Sequence, residues 1–401
     1  MRSRVRLPLA VCAVLALTAC GGGGGTAAAP SAAPGAGAGG SAAAASAAPA
    51  GGPLDLAAAG CPATVVMQQD WQPEAEHGAM YALVGPDKTI DNNTKSVKGS
   101  LVAQGVDTGV DVEVRSGGPN TGFQTVPALM YLDEAITFGA VNTDAAMTTA
   151  AAQPTVAVTS QMTISPQMLM WDPASHPGLN TIREVAASGA TVLTSGDTKT
   201  ISSLLIAQGV MKPEQSDTGY QSTPERFVAD PTILQQGFAT AEPYIYENEI
   251  PQWNKPVKNE RLYEYGFTIY PEPLAVRADK LEQLRPCLQK LVPVMQRSQL
   301  DYLDNPGPTN QLIVDLVEAY QTGWTYSQGV ADFSVKTQKE GGFVTNDPAS
   351  GVFGKFDPAR MAQVVSSFWP IFAQEGTVTG PAPDPTTLYT NDFIDDTSKM
   401  S

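Results

Sequence analysis

Apolar and polar positions along the first 160 residues alternate in blocks that predict an α/β protein. Short apolar runs predict buried strands, and helical spacing follows most of them. Strands are expected at 63–67, 110–114, 136–139 and 154–158, with helices near 73–81, 125–133 and 142–147. This β-α-β-α-β order predicts a parallel sheet whose ligand-facing loops lie at the carboxyl ends of the strands.

The rest of the chain predicts a second unit of the same kind and then a return to the first. The second unit is expected to contain an apolar run at 168–173 that ends in a turn, strands at 191–193 and 237–240, and a helix at 201–208. An extended run at 265–276 leads back, and helices are expected at 279–302, 309–326 and 358–372. The variable stretch 85–109 is expected to be loop with a short helix.

The stretch from Asp70 to Tyr81 carries the most suggestive chemistry. Pro73 suits the first position of a helix, because its ring fixes φ and its missing N–H is not needed there. Glu74, His77 and Tyr81 would then share one helical face. An acid, an imidazole and aromatic rings at a strand end are typical of a small-molecule cleft. The alternative is an ordinary mixed helix face, with His77 satisfied by Glu74.

A second candidate lies at the start of the helix expected at 201–208. The segment Ser195-Gly196-Asp197-Thr198 precedes that helix. Free backbone N–H groups at such a helix start can bind an anion or a carbonyl oxygen.

The first 60 residues predict export and anchoring. Three arginines precede the apolar run 7–19, which is too short to span a bilayer but suits a signal peptide at 1–19. The run ends in Leu17-Thr18-Ala19-Cys20, which resembles the bacterial lipobox and makes Cys20 the expected lipidation site. A plain secretory signal with an incidental cysteine is the alternative. Residues 20–60, nearly all Gly, Ala, Ser and Pro after Cys20, are expected to form the lipid anchor and a flexible tether.

Composition narrows the function classes. The chain has 401 residues, enough for two domains, and a formal net charge of -16, which disfavours nucleic acid as a partner. With 4 cysteines and 2 histidines there is no cluster at metal-ligand spacing, so no metal site is expected. Processing and lipidation would leave Cys61 and Cys287, which predict one disulfide in an exported protein; two separate buried thiols are the alternative.

Several of these features together resemble a known family. The lipobox, the tether, Asp70-Trp71 through His77-Gly78-x-x-Tyr81, Ser195 to Thr198 and Ala239 to Tyr244 are similar to substrate-binding lipoproteins of ABC importers. The resemblance covers roughly residues 61–375. It is nearest to the branch of thiamine-pyrimidine-precursor, riboflavin-type, taurine, alkanesulfonate and nitrate binding proteins.

The resemblance implies an α/β, type II periplasmic-binding-protein fold. Two α/β lobes would be joined by two crossover segments, with a ligand cleft between them. The expected boundaries are 61–160 for lobe 1, 161–270 for lobe 2, 271–375 for the return to lobe 1 with its C-terminal helices, and 376–401 for a C-terminal tail.

The resemblance also implies a set of pocket residues. Lobe 1 would contribute Trp71, Glu74, His77, Tyr81, Asn142 and Thr143. Lobe 2 would contribute Trp171, Thr198, Glu242 and Tyr244. Simpler roles stay open for some of them: Trp171 in the core, Thr143 in a helix cap, and Glu242 with Pro243 in a rigid turn.

The implied function is capture of a small molecule for an ABC permease and ATPase, by a monomer anchored through lipid on the extracytoplasmic face of the membrane. No catalysis and no cofactor are expected. Carboxylates beside aromatic rings favour an amino-pyrimidine or similar N-heterocycle, because the rings stack and the acids accept from N–H groups. The alternative ligand is a taurine, alkanesulfonate or nitrate type anion. Glu74 and Glu242 would repel it, and Arg115 and Lys199 are the nearby cations.

Two other classes of function compete with transport. The same fold includes a cytoplasmic pyrimidine-synthesising enzyme, but its cysteine-rich stretch is absent here. No Gly-x-Ser-x-Gly, Walker or His-Glu-x-x-His motif occurs either. An envelope structural or interaction protein with a non-functional cleft is the remaining alternative.

The polar segment 85–109 is longer than is usual in the family.

Overall fold

The computed structural model of this protein describes residues 45–196, 199–221 and 223–400, together with the backbone but not the side chain of Lys199. The predicted signal peptide, Cys20 and Thr198 lie outside the described residues. Within the described residues, no helix is both long enough and apolar enough to cross a bilayer.

The strands form two sheets, and one lies entirely within 167–261. The strands are β1 (Ser46–Ala47), β2 (Thr64–Gln68), β3 (Thr89–Asp91), β4 (Ser96–Ala103), β5 (Val106–Arg115), β6 (Ile136–Ala140), β7 (Thr155–Thr159), β8 (Gln167–Trp171), β9 (Val192–Leu193), β10 (Ser216–Asp217), β11 (Leu234–Phe238), β12 (Lys258–Arg261) and β13 (Leu274–Arg277). The first sheet has the order β3-β4-β5-β2-β6-β13-β7, with β1 beside β5, and the second has the order β10-β9-β11-β8-β12.

Helices cover both sheets. They are α1 (Gly78–Tyr81), α2 (Val126–Leu132), α3 (Thr143–Thr149), α4 (Ile182–Ala187), α5 (Lys199–Ala207), α6 (Glu225–Ala229), α7 (Glu242–Asn248), α8 (Leu281–Asp304), α9 (Gly307–Tyr320), α10 (Gln328–Glu340) and α11 (Pro358–Gln374). Buried side chains of α8, α9 and α10 pack with those of the first sheet in one apolar core.

Strand direction determines which residues meet at the edge of the first sheet. Strands β5, β2 and β6 are mutually parallel, whereas β13 runs antiparallel between β6 and β7. The carboxyl ends of β2 and β6 therefore lie at the same edge as the amino end of β13. This brings together Asp70 after β2, Asn142 after β6 and Glu272 before β13, although 202 positions separate the first from the last.

The second sheet follows the same logic. Strand β9 is parallel to β11, and β8 is antiparallel to β11, with Phe238 paired to Gln167. The residue following β9 by two positions, Ser195, therefore lies near the end of β11 and the beginning of β8. Polar side chains at this edge face the same cavity as those of the first sheet.

The predicted disulfide is confirmed. Cys61 and Cys287 are bonded, with their Cα atoms 4.7 Å apart and 226 positions between them in sequence. The bond joins the segment before β2 to helix α8. The C-terminal tail is also packed, because Leu388 and Phe393 are buried and Tyr389 pairs with Ala157 beside β7.

The last part of the expected tether is ordered, which corrects that prediction. Strand β1 pairs in parallel with β5, and Leu56 is completely buried in the core of the first sheet. Leu54 and Leu56, two apolar residues in a segment that is otherwise mostly Gly, Ala, Ser and Pro, provide the side chains that pack in this core. Backbone hydrogen bonding to β5 adds a stabilising contribution that composition cannot show.

The expected loop at 85–109 is instead a β-hairpin. Strands β3, β4 and the start of β5 occupy most of it, and β4 pairs antiparallel with β5. The turn residues Gln104 and Gly105 both have positive φ, 52° and 75°, as a tight two-residue hairpin turn requires. Gly99 interrupts the apolar alternation of β4, which hides the strand from pattern analysis.

The helix expected from Pro73 begins later than predicted. Glu74 is extended, with φ -154°; a 3₁₀ turn covers Ala75–His77, and α1 starts at Gly78. The shift changes which side chains face the cleft. It is the reason one of the predicted contacts is wrong, as described below.

Candidate functional site

A cavity of about 200 Å³ lies between the facing edges of the two sheets. The first-sheet side includes Asp70, Trp71, Glu74, Asn142 and Glu272. The second-sheet side includes Gln167, Ser195, Gln236 and Glu242. We call Asp70, Glu74, His77 and Glu272 the acidic floor, and Gln167, Ser195 and Gln236 the amide wall.

Aromatic rings line one side of the cavity. The indole of Trp71 is tilted against Phe123, with ring centroids 6.1 Å apart, and meets Trp324 edge-on at 6.5 Å. Gly118 permits this placement, because a Cβ on it would lie 2.9 Å from an indole carbon of Trp71. Together these rings offer an apolar surface on which a flat ligand can stack.

His77 is the centre of the acidic floor. Its Nε2 atom lies 3.0 Å from Oδ1 of Asp70 and 3.2 Å from Oε2 of Glu272. Its Nδ1 atom lies 3.8 Å from Oε1 of Glu74. The ring is 1% exposed, so water does not separate the imidazole from these three carboxyl groups. Charge on this small group of atoms therefore interacts strongly.

Asn142 connects two members of the floor. Its Nδ2 donates to Oδ2 of Asp70 over 2.9 Å, and its Oδ1 accepts from the backbone N–H of Glu272 over 3.1 Å. One amide thereby holds two carboxylate-bearing segments that come from distant parts of the chain. It does so in place of capping α3, for which its side chain makes no cap hydrogen bond.

The backbone at Glu272 is strained. This residue stands between Pro271 and Pro273 and has φ 50°, in the left-handed region that residues with a Cβ avoid. Such a conformation costs on the order of 1–2 kcal/mol, and it persists where the surroundings enforce it. The result is a carboxylate directed at His77 and at the cavity.

Burial and mutual repulsion raise the pKa values of the Glu74 and Glu272 carboxyl groups. Desolvation raises the pKa of Glu272 to about 7, with a further contribution from the charge of Asp70. Desolvation also raises the pKa of Glu74 well above its ordinary value, and nearby Glu76 adds to it. Burial alone would lower the pKa of His77, but Glu272 and Asp70 outweigh it and raise that pKa. The floor therefore favours a positive charge in its midst.

The opposite wall is polar but mostly neutral. The Oε1 of Gln236 accepts from the backbone N–H and the hydroxyl of Ser195, at 2.9 and 3.2 Å. Its Nε2 donates to Oε1 of Gln167 over 3.1 Å. These amides offer donors and acceptors without charge, so they can orient a ligand rather than attract it from a distance.

Glu242 is the acid on the second-sheet side. It is the first residue of α7, and its Oε2 accepts from the backbone N–H of Phe238 over 2.7 Å. Desolvation raises the pKa of Glu242 to about 7, despite that hydrogen bond and a contact from the Tyr220 hydroxyl. Burial therefore favours the neutral form of the Glu242 carboxyl group.

Acidic side chains dominate the lining of the cavity. Five carboxyl groups line it, from Asp70, Glu74, Asp144, Glu242 and Glu272, and no lysine or arginine lines it among the described residues. The nearby cation expected from the sequence, Arg115, is bound to Glu113 and Asp133 at 2.6 and 2.7 Å. The side chain of Lys199 is not described.

The structure places four of the predicted pocket residues on the cavity wall, namely Trp71, Glu74, Asn142 and Glu242. His77 lies beneath the surface of the cavity, in contact with the floor carboxylates. Thr198 lies outside the described residues.

Tyr81 and Thr143 do not line the cavity, which corrects the prediction for lobe 1. Tyr81 is buried in the core and donates to Oε1 of Gln69, because the late start of α1 turns it away from the cleft. Thr143 donates its hydroxyl to the carbonyl of Tyr270 and is buried there, so it neither lines the cavity nor caps α3.

Trp171 and Tyr244 do not line the cavity either. Trp171 is 0% exposed on β8 and belongs to an apolar core, which agrees with the simpler alternative for it. Tyr244 packs on Phe333 of α10, with ring centroids 5.5 Å apart, so it joins the two sides of the cleft directly. Thr240 of the second side makes a similar link by donating its hydroxyl to Oε1 of Glu76.

Sequence reasoning did not select Asp70, Glu272 or Gln236 as site residues. Asp70 stood in the motif and directly after a predicted strand, which was a usable signal. Glu272 stands between two prolines, and Pro-Glu-Pro after an extended run marks an unusual backbone. Gln236 gave no signal of its own.

The structure also brings three metal-ligating side chains together where none was expected. Asp70, His77 and Glu272 each offer one ligand atom, and these three atoms lie within 4.8 Å of one another. The expectation of no metal site rested on sequence spacing. It could not anticipate ligands from residues about 200 positions apart.

Comparison with known proteins finds likeness in structure. No protein-family model and no curated protein matches the sequence. The aliphatic sulphonate binding protein SsuA from Escherichia coli superposes with a TM-score of 0.51 at 10% identity, covering 80% of this chain and 90% of its own. A zinc-bound ligand-binding component of an ABC-type import system from Staphylococcus aureus gives 0.50 at 12%, covering 82% and 97%. The alkanesulfonate-binding protein SsuA from Xanthomonas axonopodis pv. citri, bound to MOPS, gives 0.50 at 9%, covering 82% and 99%.

These likenesses establish the fold. The chain has the two-sheet α/β fold of the periplasmic binding proteins, as the sequence resemblance predicted. The superposed proteins bind sulfonates in two cases and carry zinc in the third. Identity near one tenth leaves the ligand of this chain to be argued from its own cavity.

Proposed function

We propose that this protein is an extracytoplasmic solute-binding protein of an ABC importer that captures a small, positively charged nitrogen compound, most simply an amino-pyrimidine or similar N-heterocycle. It binds its ligand without catalysis. The proposal includes a lipid anchor on Cys20, delivery to a permease and ATPase, and action as a monomer.

The acidity of the cavity is the observation that carries this proposal. A sulfonate or nitrate ion would be desolvated beside Asp70 and Glu272 with no lysine or arginine among the described lining residues to compensate it, at a cost of several kcal/mol. A protonated amine or amidine instead gains charge-assisted hydrogen bonds to the same oxygens. The raised carboxyl pKa values show how strongly the floor disfavours further negative charge.

The size and shape of the cavity support a small flat ligand. Its volume of about 200 Å³ lies below the ~300–1,000 Å³ of typical small-molecule pockets. That is room for one ring with short substituents. Trp71 and Phe123 provide aromatic faces for such a ring, while Gln236 and Gln167 provide neutral hydrogen-bonding partners.

Calorimetry on metal-free mature protein tests the proposal. Thiamine, its pyrimidine precursor, riboflavin, taurine and nitrate are titrated separately, after mass spectrometry of small molecules released from the purified protein. We expect one equivalent of a nitrogen-bearing cation to bind and Asp70→Asn to weaken it at least tenfold. Asp304→Asn, which changes an acid that is 69% exposed on the surface, should have no effect.

Three results would contradict the proposal. Binding of taurine or nitrate alone would favour the anion alternative. Conversion of a bound compound would favour the enzyme. No binding or thermal shift with any compound, and no released ligand, would favour a structural envelope protein.

The anchoring part of the proposal has its own test. Metabolic labelling with a radioactive fatty acid should mark the wild-type protein and not Cys20→Ser. Unchanged labelling of the variant would place the lipid elsewhere or remove the anchor from the proposal.

A further inference from the structure

We propose that Asp70, His77 and Glu272 bind one divalent transition-metal ion at the floor of the cleft. The inference rests on the proposed function in one respect, since it takes the cleft to be a binding site for positive charge. It adds a metal ion to the positively charged occupants of that cleft, and it does not require an organic ligand.

The distances in the floor suit a metal ion. Two ligand atoms that each lie ~2.1 Å from a tetrahedral zinc ion are separated by roughly 3.4 Å. His77 Nε2 lies 3.0 Å from Asp70 Oδ1 and 3.2 Å from Glu272 Oε2, and the three ligand atoms lie within 4.8 Å of one another. Small movements of two carboxylates would complete the coordination.

The three ligands have neighbours of the kind that metal sites use as outer partners. A histidine bound through Nε2 must carry its proton on Nδ1 and usually directs it at a carboxylate. Here Nδ1 of His77 points towards Oε1 of Glu74, 3.8 Å away, and neither buried atom has a hydrogen-bond partner among the described residues. Asn142 orients Asp70 and the backbone of Glu272 in the same way.

A second, independent observation is the buried oxygen of Glu272. This side chain is 5% exposed, and apart from the 3.2 Å contact with His77 Nε2 its Oε2 has no hydrogen-bond partner among the described residues. A buried carboxylate oxygen with so few partners is costly, and the strained backbone keeps it in place. A bound cation would satisfy it.

The site has an open side. Asp70, Glu74 and Glu272 line the cavity, whereas His77 lies behind them. A metal held by three protein ligands would thus retain a coordination position facing the cavity, as in metal sites that take up a further ligand. Water or a nitrogen of the captured solute could fill that position.

The donor set predicts which ions bind. One imidazole nitrogen with two carboxylates suits Zn²⁺ and other first-row divalent ions, whereas Ca²⁺ and Mg²⁺ prefer sites made of oxygen alone. The same cluster would also form around a protonated histidine whose single Nε2 hydrogen is shared between Asp70 and Glu272. Metal titration separates these two explanations.

The test is calorimetry of ZnCl₂ and CaCl₂ into tag-free, chelator-treated mature protein. We expect one zinc ion to bind, with calcium at least 100-fold weaker. Asp70→Asn and Glu272→Gln should each weaken zinc at least tenfold. Glu242→Gln removes the same charge from the opposite side of the cavity and should change zinc affinity less than threefold. X-ray absorption should show one nitrogen-ring ligand with oxygen ligands.

Two results would overturn the inference. One is absence of zinc binding at millimolar concentration; the other is a loss in Glu242→Gln equal to that in the floor variants, which would indicate general electrostatic attraction. Thermal melts check the folding of every variant, and Asp70→Asn, at a partly exposed position, provides the decisive arm if Glu272→Gln does not fold. Organic-cation binding by metal-free protein together with no zinc binding would reject this inference alone. Zinc binding with no organic ligand would reject the organic solute alone.

Discussion

The two sides of the cavity differ in how they present polarity. The acidic floor concentrates three carboxyl groups around one buried imidazole, held by a strained backbone at Glu272 and by Asn142. The amide wall links Ser195, Gln236 and Gln167 by ordinary hydrogen bonds between neutral groups. A cation bound at the floor would relieve the repulsion between its carboxyl groups, whereas the polar groups of the wall already have hydrogen-bond partners.

This difference separates attraction from orientation. Charge placed in a buried floor acts strongly because little water screens it. Neutral amides gain little net energy from a ligand, since they exchange one hydrogen bond for another. We therefore expect affinity to depend mainly on the floor and discrimination among similar ligands to depend on the wall.

The largest effect is expected when two floor carboxylates are removed together. The double variant Asp70→Asn/Glu272→Gln should lose at least 100-fold in affinity for an organic cation, because a hydrogen bond to a charged group contributes about 1.5–3 kcal/mol. Gln167→Ala on the wall should lose less than tenfold. Calorimetry on metal-free protein measures the affinity of each variant. Equal losses would show that the floor and the wall contribute alike to binding.

The next effect concerns the pH dependence of stability through Glu242. Its pKa is raised from 4.5 to about 7, so the folded state binds the proton more tightly than the unfolded state. Stability should therefore fall as pH rises from about 4.5 to about 7 and then level off, by up to about 3 kcal/mol. Glu242→Gln should lack this component in urea unfolding, while Glu340→Gln, at an exposed site, should retain it.

A smaller effect is expected from loosening the floor without changing its charge. Asn142→Ala leaves the backbone N–H of Glu272 and one oxygen of Asp70 without their partner. We expect a loss of about 1–3 kcal/mol in the free energy of unfolding. Asn92→Ala, on an exposed turn, should lower the free energy of unfolding by less than about 0.5 kcal/mol, the usual range for surface substitutions. Similar losses would show that Asn142 does not hold the floor.

The smallest effect separates ring placement from backbone strain. Gly118 and Gly122 have similar positive φ values, 58° and 64°, but only at Gly118 would an added Cβ meet Trp71. Each change to alanine should cost about 1 kcal/mol in stability. Only Gly118→Ala should also change tryptophan fluorescence and weaken ligand binding a fewfold. Equal fluorescence changes in the two variants would show that Gly118 does not determine the position of Trp71.

Much of the fold was predictable because its central strands are short apolar runs. The run at 63–67 became Thr64–Gln68, and that at 136–139 became Ile136–Ala140. The hairpin within 85–109 was not predictable, because Gly99 breaks the alternation and pairing with β5 provides the stability. Pattern analysis detects burial within a segment and misses support that comes from a distant partner.

The site was predictable only where its residues adjoin a strong local pattern. Trp71 and Glu74 follow the first predicted strand and do line the cavity. Glu272 joins them because β13 enters antiparallel beside β6, a pairing that no local feature of 271–276 specifies. Tyr81 was misplaced by a shift of a few residues in the start of a helix, since each residue turns a helix by about 100°.

The contact of Tyr244 with Phe333 has a mechanical consequence. Helices α7 and α10 touch through these rings, away from the cavity, while the hydroxyl of Thr240 reaches across to Glu76. The two sides of the cleft thus contact each other without a bound ligand. Opening the cleft requires these contacts to break. The affinity for a solute therefore depends partly on an interface that the solute does not contact.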